Sequence, residues 1–205
     1  MKKKTEMKIL DAATEIFLQK GKNGARMQDI ANKANINKAM LHYYFRSKDN
    51  LYRKVLSNQL NRFFDFFIKG VDQEMNFKEL LRRFITNYIE KISKDRTLLK
   101  FIIWEISQEH GEALIDVIRE KRFSGENFKE IIIRRINLAI RNDEIIEIEP
   151  IHLFTSVIGI CVFPFFAKPI LENVFTDKEI LSHEFVEKRK KLAFNMIWNY
   201  IKKEH

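Results

Sequence analysis

The stretch over residues 27–48, MQDIANKANINKAMLHYYFRSK, constrains the fold of this chain more than any other. Residues 27–34 have their apolar side chains on one face of a short helix, and residues 38–45 place two large apolar side chains four positions apart. Residues 35–37, Asn-Ile-Asn, separate the two helices and are typical of a turn. Two short helices joined by a tight turn predict a helix-turn-helix, whose second helix fits the major groove of DNA.

The formal net charge of +9 is concentrated around this motif. Residues 1–54 contain 13 Lys or Arg and 5 Asp or Glu, whereas the remaining 151 residues contain 24 and 23. A basic segment that coincides with a helix-turn-helix favours a DNA-binding head. A solvated basic tail is the alternative, since Lys2-Lys3-Lys4 supplies three of the charges, but basic residues recur inside the motif.

Few residues in this chain interrupt helices. With 6 Gly and 3 Pro among 205 residues, and 45% hydrophobic residues, the sequence predicts long helices around a sizeable core. We predict an all-α protein with an N-terminal three-helix helix-turn-helix domain over residues 1–50 and a larger C-terminal helical domain over residues 51–205. The predicted helices cover residues 5–20, 27–34, 38–45, 49–69, 77–93, 95–108, 112–123, 126–141, 150–163 and 182–203. The helix over residues 49–69 would connect the two domains rigidly, because no Pro/Gly linker separates them.

Several classes of function are disfavoured by what the sequence contains. The one cysteine, Cys161, lies in an apolar run and predicts a small buried side chain, so no disulfide or thiolate metal site is expected within the chain. We found no phosphate-binding glycine loop, zinc-type spacing or nucleophile elbow, and we therefore expect no enzyme activity, cofactor or metal. The longest apolar window, residues 153–167, is shorter than the roughly 20 residues that span a bilayer. A cytoplasmic protein that does not enter a membrane is the expectation.

A spaced pattern of residues runs through the N-terminal segment: Phe17, Gly21, Asp29-Ile30-Ala31, Ala34-Asn35-Ile36-Asn37, Tyr43-Tyr44-Phe45, Lys48 and Leu51. This pattern, over about residues 7–55, resembles the DNA-binding region of the TetR family of bacterial transcriptional regulators. The resemblance implies a homodimer, paired through its last two helices, that binds a palindromic operator in double-stranded DNA. It also implies a repressor that is released when a small hydrophobic or aromatic effector binds the C-terminal domain. The alternative for the last two helices is packing within the monomer only.

The second helix of the motif offers side chains suited to DNA. Lys38 is a candidate for a phosphate or base edge, His42 lies one turn later and could donate to a base acceptor, and Ala39 permits close approach to a thymine methyl. Lys48, in the first turn of a helix that Ser47 is expected to cap, is a second phosphate candidate. Our candidate DNA-binding residues are Met27, Gln28, Asn37, Lys38, Ala39, Met40, His42, Tyr43, Tyr44 and Lys48.

Three positions in this set carry qualifications. The family commonly has threonine where Met27 stands and serine where Asn37 stands, so Met27 can offer DNA only its backbone amide. For Tyr44 a place in the core competes with a place at the DNA, whereas Phe45 is expected in the core.

The effector site is predicted less directly. An aromatic-lined cavity with one charge could be formed by Phe101, Trp104, Glu105, Phe128, Phe154 and Ile158, although with 18 Phe in the chain most such residues would be core. A carboxylate-histidine metal site at Glu105, Glu109 and His110 is conceivable, but a solvated helix face explains these residues more simply. An alternative function also stays open: a helical small-molecule or lipid carrier whose basic head binds nucleic acid or membranes without sequence preference.

Overall fold

The computed structural model describes residues 2–68, 75–107, 111–120, 122–123, 126–175 and 179–203, with the side chains of 2–3, 63–68, 122–123 and 126–128 left aside. Contacts divide the chain into two compact units. Unit 1 contains Met1–Phe63 and Thr97–Glu120, and unit 2 contains Phe64–Arg96 and Lys121–His205. The predicted DNA-binding domain over residues 1–50 and effector domain over residues 51–205 refer to function, and that division stays a prediction.

The described part of the chain is all-α apart from one short hairpin. The helices are α1 (Lys2–Gly24), α2 (Met27–Lys33), α3 (Lys38–Phe45), α4 (Lys48–Ile68), α5 (Phe77–Lys94), α6 (Thr97–Ser107), α7 (Glu112–Glu120), α8 (Phe128–Arg141), α9 (Pro150–Phe166), α10 (Lys168–Ile170) and α11 (His183–Ile201). A π-helical turn, Leu171–Phe175, follows α10. Two-residue strands, β1 (Arg122–Phe123) and β2 (Glu126–Asn127), pair antiparallel. The all-α class is confirmed, but residues 122–123 and 126–127, predicted as helix, form this hairpin.

Helix α1 supplies the scaffold of unit 1. Its buried stripe includes Ile9, Ala13 and Phe17, at the four-residue spacing of one helix face. The helix was predicted to end at residue 20, and the backbone does break at the next residue, Gly21, where φ is 66° and ψ is 174°. Helical residues resume beyond the break as far as Gly24, so α1 is longer than predicted and kinked rather than ended. Only glycine adopts such a conformation readily.

Tyr52, on α4, is the centre of the unit 1 core and is 1% exposed. Its ring meets that of Phe17 edge-on, with the centroids 4.9 Å apart, and lies 5.8 Å from that of Trp104. The Tyr52 hydroxyl donates to Glu105 Oε1 over 2.7 Å, and both residues are buried. Burial, followed by the hydrogen bond and the charge of Glu105, raises the pKa of Tyr52 well above its usual value.

Unit 2 is built on contacts of α5 with α11 and α9. Its core includes Ile85, Ile89, Cys161 and Ala193, which are inaccessible to solvent. Cys161 is therefore the small buried residue predicted from the sequence, and burial raises the pKa of its thiol to about 12.

Both α5 and α11 begin at side-chain caps. Asn76 Oδ1 accepts from Glu79 N at the start of α5, and Ser182 Oγ accepts from Phe185 N at the start of α11. Each cap satisfies one of the amides that a helix leaves without a partner in its first turn, and so fixes where the helix begins.

Helix α9 is longer than predicted. It continues past residue 163 to Phe166 with Pro164 inside it, although proline removes one helical hydrogen bond. A helix that is apolar nearly all round requires cover on both faces, yet Ile151, Phe163 and Phe166 are all more than half exposed in the single chain.

Among the described residues no single helix is long and apolar enough to cross a bilayer, whereas α9 together with Lys168–Phe175, bent by 56°, passes by length and composition alone.

Candidate nucleic-acid interface

The turn between α2 and α3 forms as the sequence predicts. Asn35 has a φ of 52°, a left-handed conformation that asparagine tolerates better than most residues. Ile36 N then donates to Ala31 O over 3.0 Å, which closes the turn. Asn37 caps α3, since its Oδ1 accepts from Met40 N over 2.7 Å. The turn and the cap together fix the start of α3 relative to α2.

Helix α3 has one buried face and one exposed face. Leu41 and Phe45 are buried against the rest of unit 1, which confirms the core position predicted for Phe45. Five of the candidate residues on α3 are exposed: Lys38, Ala39, Met40, His42 and Tyr43. Tyr44 is half-buried, with its ring 5.6 Å from that of Tyr43 and 6.3 Å from that of Phe45. A helix held by its apolar face and presenting Lys, His and Tyr to solvent has the form of a groove-reading element.

The other candidates are engaged in ways that the sequence did not predict. The Asn37 side-chain oxygen, Oδ1, is used by the helix cap, and the Gln28 side-chain amide donates to Asn32 Oδ1 over 2.8 Å within α2. Met27 is half-buried at the start of α2. Asn37 directly before a helix is itself a capping signal, so this role could have been found from the sequence. Contact of these residues with DNA stays a prediction.

Lys48 connects two parts of the head. Its ammonium donates to Asn23 O over 3.3 Å, in the last turn of α1, and to Ala25 O over 3.2 Å, in the segment between α1 and α2. Ser47 Oγ accepts from Asn50 N over 3.1 Å, which confirms Ser47 as the cap of α4. An ammonium carries three donors, so these two carbonyls leave one for the predicted phosphate contact.

Ion pairs hold α2 against α1. Lys20 Nζ lies 2.6 Å from Asp29 Oδ2, and Lys33 Nζ lies 2.6 Å from Glu15 Oε2. Lys33 is one of the basic residues within the helix-turn-helix, and its charge is therefore partly neutralised by α1. Such exposed pairs contribute little stability, about 0–1 kcal/mol each, but they orient the helices.

The backbone between α3 and α4 is strained at Arg46, where φ is 60° and ψ is −48°. Ser47 N donates to Phe45 O over 2.6 Å across this residue, which makes a γ-turn of the rare positive-φ form. Arg46 N donates to His42 O over 2.8 Å, and the Arg46 carbonyl lies 2.9 Å from His42 Nδ1. The turn thus directs a main-chain carbonyl at the imidazole ring on the exposed face of α3.

The structure does not assemble the six effector candidates into one described cavity. Phe101, Trp104 and Glu105 lie together on α6 around Tyr52 in unit 1, where Phe101 and Glu105 are packed core residues. Phe154 and Ile158 are half-buried one turn apart on α9 in unit 2. The Phe128 side chain, and all of Glu109 and His110, lie outside the described residues, and the effector site stays a prediction.

An open cleft of about 640 Å³ lies in unit 2, beside the start of α9. It is lined by Arg134, Asn137, Ile140, Arg141, Glu147, Ile148, Glu149 and Pro150. None of these residues was among the effector candidates, which were chosen for aromatic character, whereas five of these eight residues are polar or charged. Within the part of the chain that the structure describes, no group of three or more His, Cys, Asp or Glu side chains is placed to hold a metal ion.

Comparisons with known proteins agree with the geometry of the head. Residues 9–55 match the family model described as bacterial regulatory proteins, tetR family. The chain is 36% identical over 90 residues to the negative transcriptional regulator of the icaADBC biofilm operon, IcaR, from Staphylococcus epidermidis. That alignment covers 42% of this chain and 49% of the relative, so the chain spans about half the length of this protein.

Solved structures resemble the whole fold. AibR, in a complex with isovaleryl coenzyme A and operator DNA, has a TM-score of 0.71 at 18% identity, covering 95% of this chain and 98% of that one. FadR from Bacillus subtilis, in complex with stearoyl-CoA, has a TM-score of 0.67 at 15% identity, covering 92% and 97%. Identities this low support the fold alone. The spacing of the N-terminal residues and the family match lead to one conclusion: the helix-turn-helix region over residues 9–55 is that of the tetR family of bacterial regulatory proteins.

Proposed function

We propose that this protein is a transcriptional regulator that binds a palindromic operator in double-stranded DNA as a homodimer. The observation that carries the proposal is the two-faced structure of α3. Leu41 and Phe45 anchor it, while Lys38, His42 and Tyr43 are presented to solvent on a basic head. Lys38 would contact phosphate or a base edge, and the exposed hydroxyl of Tyr43 would contact phosphate. The relative IcaR is a negative regulator, and we propose repression, in the cytoplasm, as the direction of action here also.

The dimer would form through α9 and α11. The apolar residues of α11 that face solvent, Leu192, Met196 and Tyr200, are spaced four positions apart and so form one stripe, with Met196 62% exposed. Helix α9 exposes Ile151, Phe163 and Phe166. Exposed apolar surface of this extent is typical of an interface, and two such helices from each of two copies make a four-helix bundle. A twofold dimer would present two heads to two half-sites.

The effector we propose is a small molecule with a large hydrophobic or aromatic part, bound by the helical body. The solved structures of AibR and FadR each contain an acyl-CoA ester, which combines an apolar tail with a polar head, so acyl-CoA esters of increasing chain length are reasonable first probes. Binding must favour a state with lower operator affinity, and operator must then weaken ligand binding by the same factor. Thermal shift and release of labelled operator measure the two sides of this linkage, and if neither changed with any ester, an acyl-CoA effector would be excluded.

Selection from a random duplex library at about 0.15 M salt, near physiological ionic strength, tests the DNA-binding proposal. We expect an enriched inverted repeat. Lys38→Ala should reduce affinity for the selected duplex, whereas Lys129→Ala, which removes the same charge from the exposed surface of α8, should leave it unchanged. Binding with steep salt dependence and no enriched sequence would instead support the non-specific carrier and overturn the operator proposal.

A further inference from the structure

We propose that His42 reads an exocyclic amino group in the major groove, the N6 amine of adenine or the N4 amine of cytosine, by accepting a hydrogen bond at Nε2. This inference rests on the proposed function, because it assigns a contact to the helix that enters the groove. It reverses the polarity that the sequence suggested, in which His42 would donate to a base acceptor.

The geometry around Arg46 fixes the tautomer. His42 Nδ1 lies 2.9 Å from the Arg46 carbonyl oxygen, and a carbonyl can only accept. Nδ1 therefore carries the proton and donates. In a neutral imidazole with Nδ1 protonated, Nε2 has a lone pair and no proton, so it is an acceptor.

The backbone that places this carbonyl is strained. A positive φ is unfavourable at a residue with a side chain as large as arginine, and such strained residues cluster at functional sites. Here the strained turn has a direct effect: it directs the Arg46 carbonyl back to the ring one turn earlier, while Arg46 N donates to the His42 carbonyl. The hydrogen bond from Nδ1 to this carbonyl holds the His42 ring in one tautomer on the exposed face of α3, and the backbone bond fixes the turn that places the carbonyl.

An acceptor at Nε2 selects among the groups on the groove floor. The purine N7 and O6 atoms and the thymine O4 atom are acceptors and repel it, whereas the amino groups of adenine and cytosine are donors. Every base pair carries one such amine in the major groove, on adenine or on cytosine. His42 would therefore distinguish the two orientations of a base pair, according to which strand places its amine next to the ring. The Lys38 ammonium, one turn earlier on the same face, has only donors and would take the acceptors instead.

The test uses base analogues in the operator that selection yields, in a buffer at about pH 8, where free imidazole is neutral. The base pair read by His42 is first located as the position where His42→Ala loses preference. Removing the exocyclic amino group there should weaken the wild-type protein about fivefold to tenfold, as expected for one lost hydrogen bond. The same analogue should have a smaller effect on His42→Ala, which controls for weakened base pairing. Replacing purine N7 by a C–H group should leave binding unchanged.

The opposite result, sensitivity to loss of N7 with tolerance of the missing amine, would overturn the inference while leaving the operator proposal intact. Nitrogen chemical shifts of the neutral His42 ring in the free protein provide a second test that involves no DNA. They should show Nδ1 protonated and Nε2 unprotonated. Nε2 protonation would also overturn the inference. His42→Ala lacks this ring and therefore assigns the His42 signals. His152→Ala, a matched change at an exposed histidine of α9, should leave operator binding unchanged.

Discussion

Replacing Tyr52 by phenylalanine removes a single oxygen atom from the centre of unit 1, and the structure predicts a large effect from this small change. The Tyr52 hydroxyl donates to Glu105 Oε1 over 2.7 Å, and the two residues are 1% and 4% exposed. A hydrogen bond to a charged group contributes about 1.5–3 kcal/mol, and a buried carboxylate that loses its donor also keeps its desolvation cost. We therefore expect Tyr52→Phe to lower the free energy of unfolding by about 2–3 kcal/mol.

Two further variants separate the hydrogen bond from the packing. Glu105→Gln keeps an oxygen that accepts from the Tyr52 hydroxyl, so it should cost less than about 1 kcal/mol. The double variant with Tyr52→Phe and Glu105→Leu replaces both partners by apolar groups and should recover much of the stability lost in Tyr52→Phe alone.

Urea unfolding with linear extrapolation measures these differences, and the midpoint of thermal unfolding of Tyr52→Phe should fall by about 4–12 °C for a chain of this size. The raised pKa of Tyr52 adds a pH signature. In the unfolded chain tyrosine ionises near pH 10, whereas the folded protein keeps Tyr52 neutral, so stability is present below pH 10 and is lost as the pH rises above about 10. Above about pH 10 the free energy of unfolding of Tyr52→Phe should therefore fall less steeply with pH than that of the wild type. A loss below about 0.5 kcal/mol in Tyr52→Phe would refute the reasoning, because it would mean that the buried carboxylate does not depend on this donor.

Three more outcomes follow from the structure. Gly21→Ala should destabilise unit 1 by more than about 1 kcal/mol, because the φ of 66° is unfavourable for alanine and a Cβ there would lie 2.9 Å from Trp104 Nε1. The control is Gly24→Ala, where the nearest atom to a Cβ is 3.4 Å away, and its free energy of unfolding should change little. Hydrogen bonds from Lys190 and then Lys94 lower the pKa of Glu90 to about 2. The Glu90 carboxylate therefore stabilises the fold above its unfolded pKa near 4.5, and this stability is lost as the pH falls towards 2. Urea unfolding measured against pH should show a smaller loss of stability at acid pH in Lys190→Met than in the wild type. Met196→Glu should shift the mass in sedimentation from two chains to one, because it places a charge on the proposed dimer stripe. Lys191→Glu, exposed on another face of the same helix, should not. A Met196→Glu dimer would exclude this interface.

The helix-turn-helix could be predicted because its determinants are local. Apolar spacing, the Asn-rich turn and the capping positions depend on neighbours within a few residues, and α3 begins and ends where the sequence indicated, at Lys38 and Phe45. The positive φ at Arg46 could not be predicted, because arginine has no preference for it. The tautomer of His42 depends on the carbonyl that this residue places, so it could not be predicted either.

Contacts between distant parts of the chain were also beyond the sequence. The pairing of Lys33 with Glu15 and the hydrogen bond of Tyr52 to Glu105 join residues 18 and 53 positions apart, so they depend on how helices pack rather than on any local pattern. The exposed apolar surface of α9 is a second example. Its composition indicated that the helix must be covered, but a sequence does not show whether the covering residues belong to the same chain or to a second copy.

The most direct test of the central claim is the stoichiometry of the protein on the selected duplex, measured by sedimentation with one half-site intact and with both. We predict two chains on the full inverted repeat, with each head in one half-site, and a large loss of affinity when one half-site is scrambled. One chain on the full repeat, or equal affinity for the intact and the half-scrambled duplex, would contradict the account of a homodimer whose two α3 helices read a twofold operator.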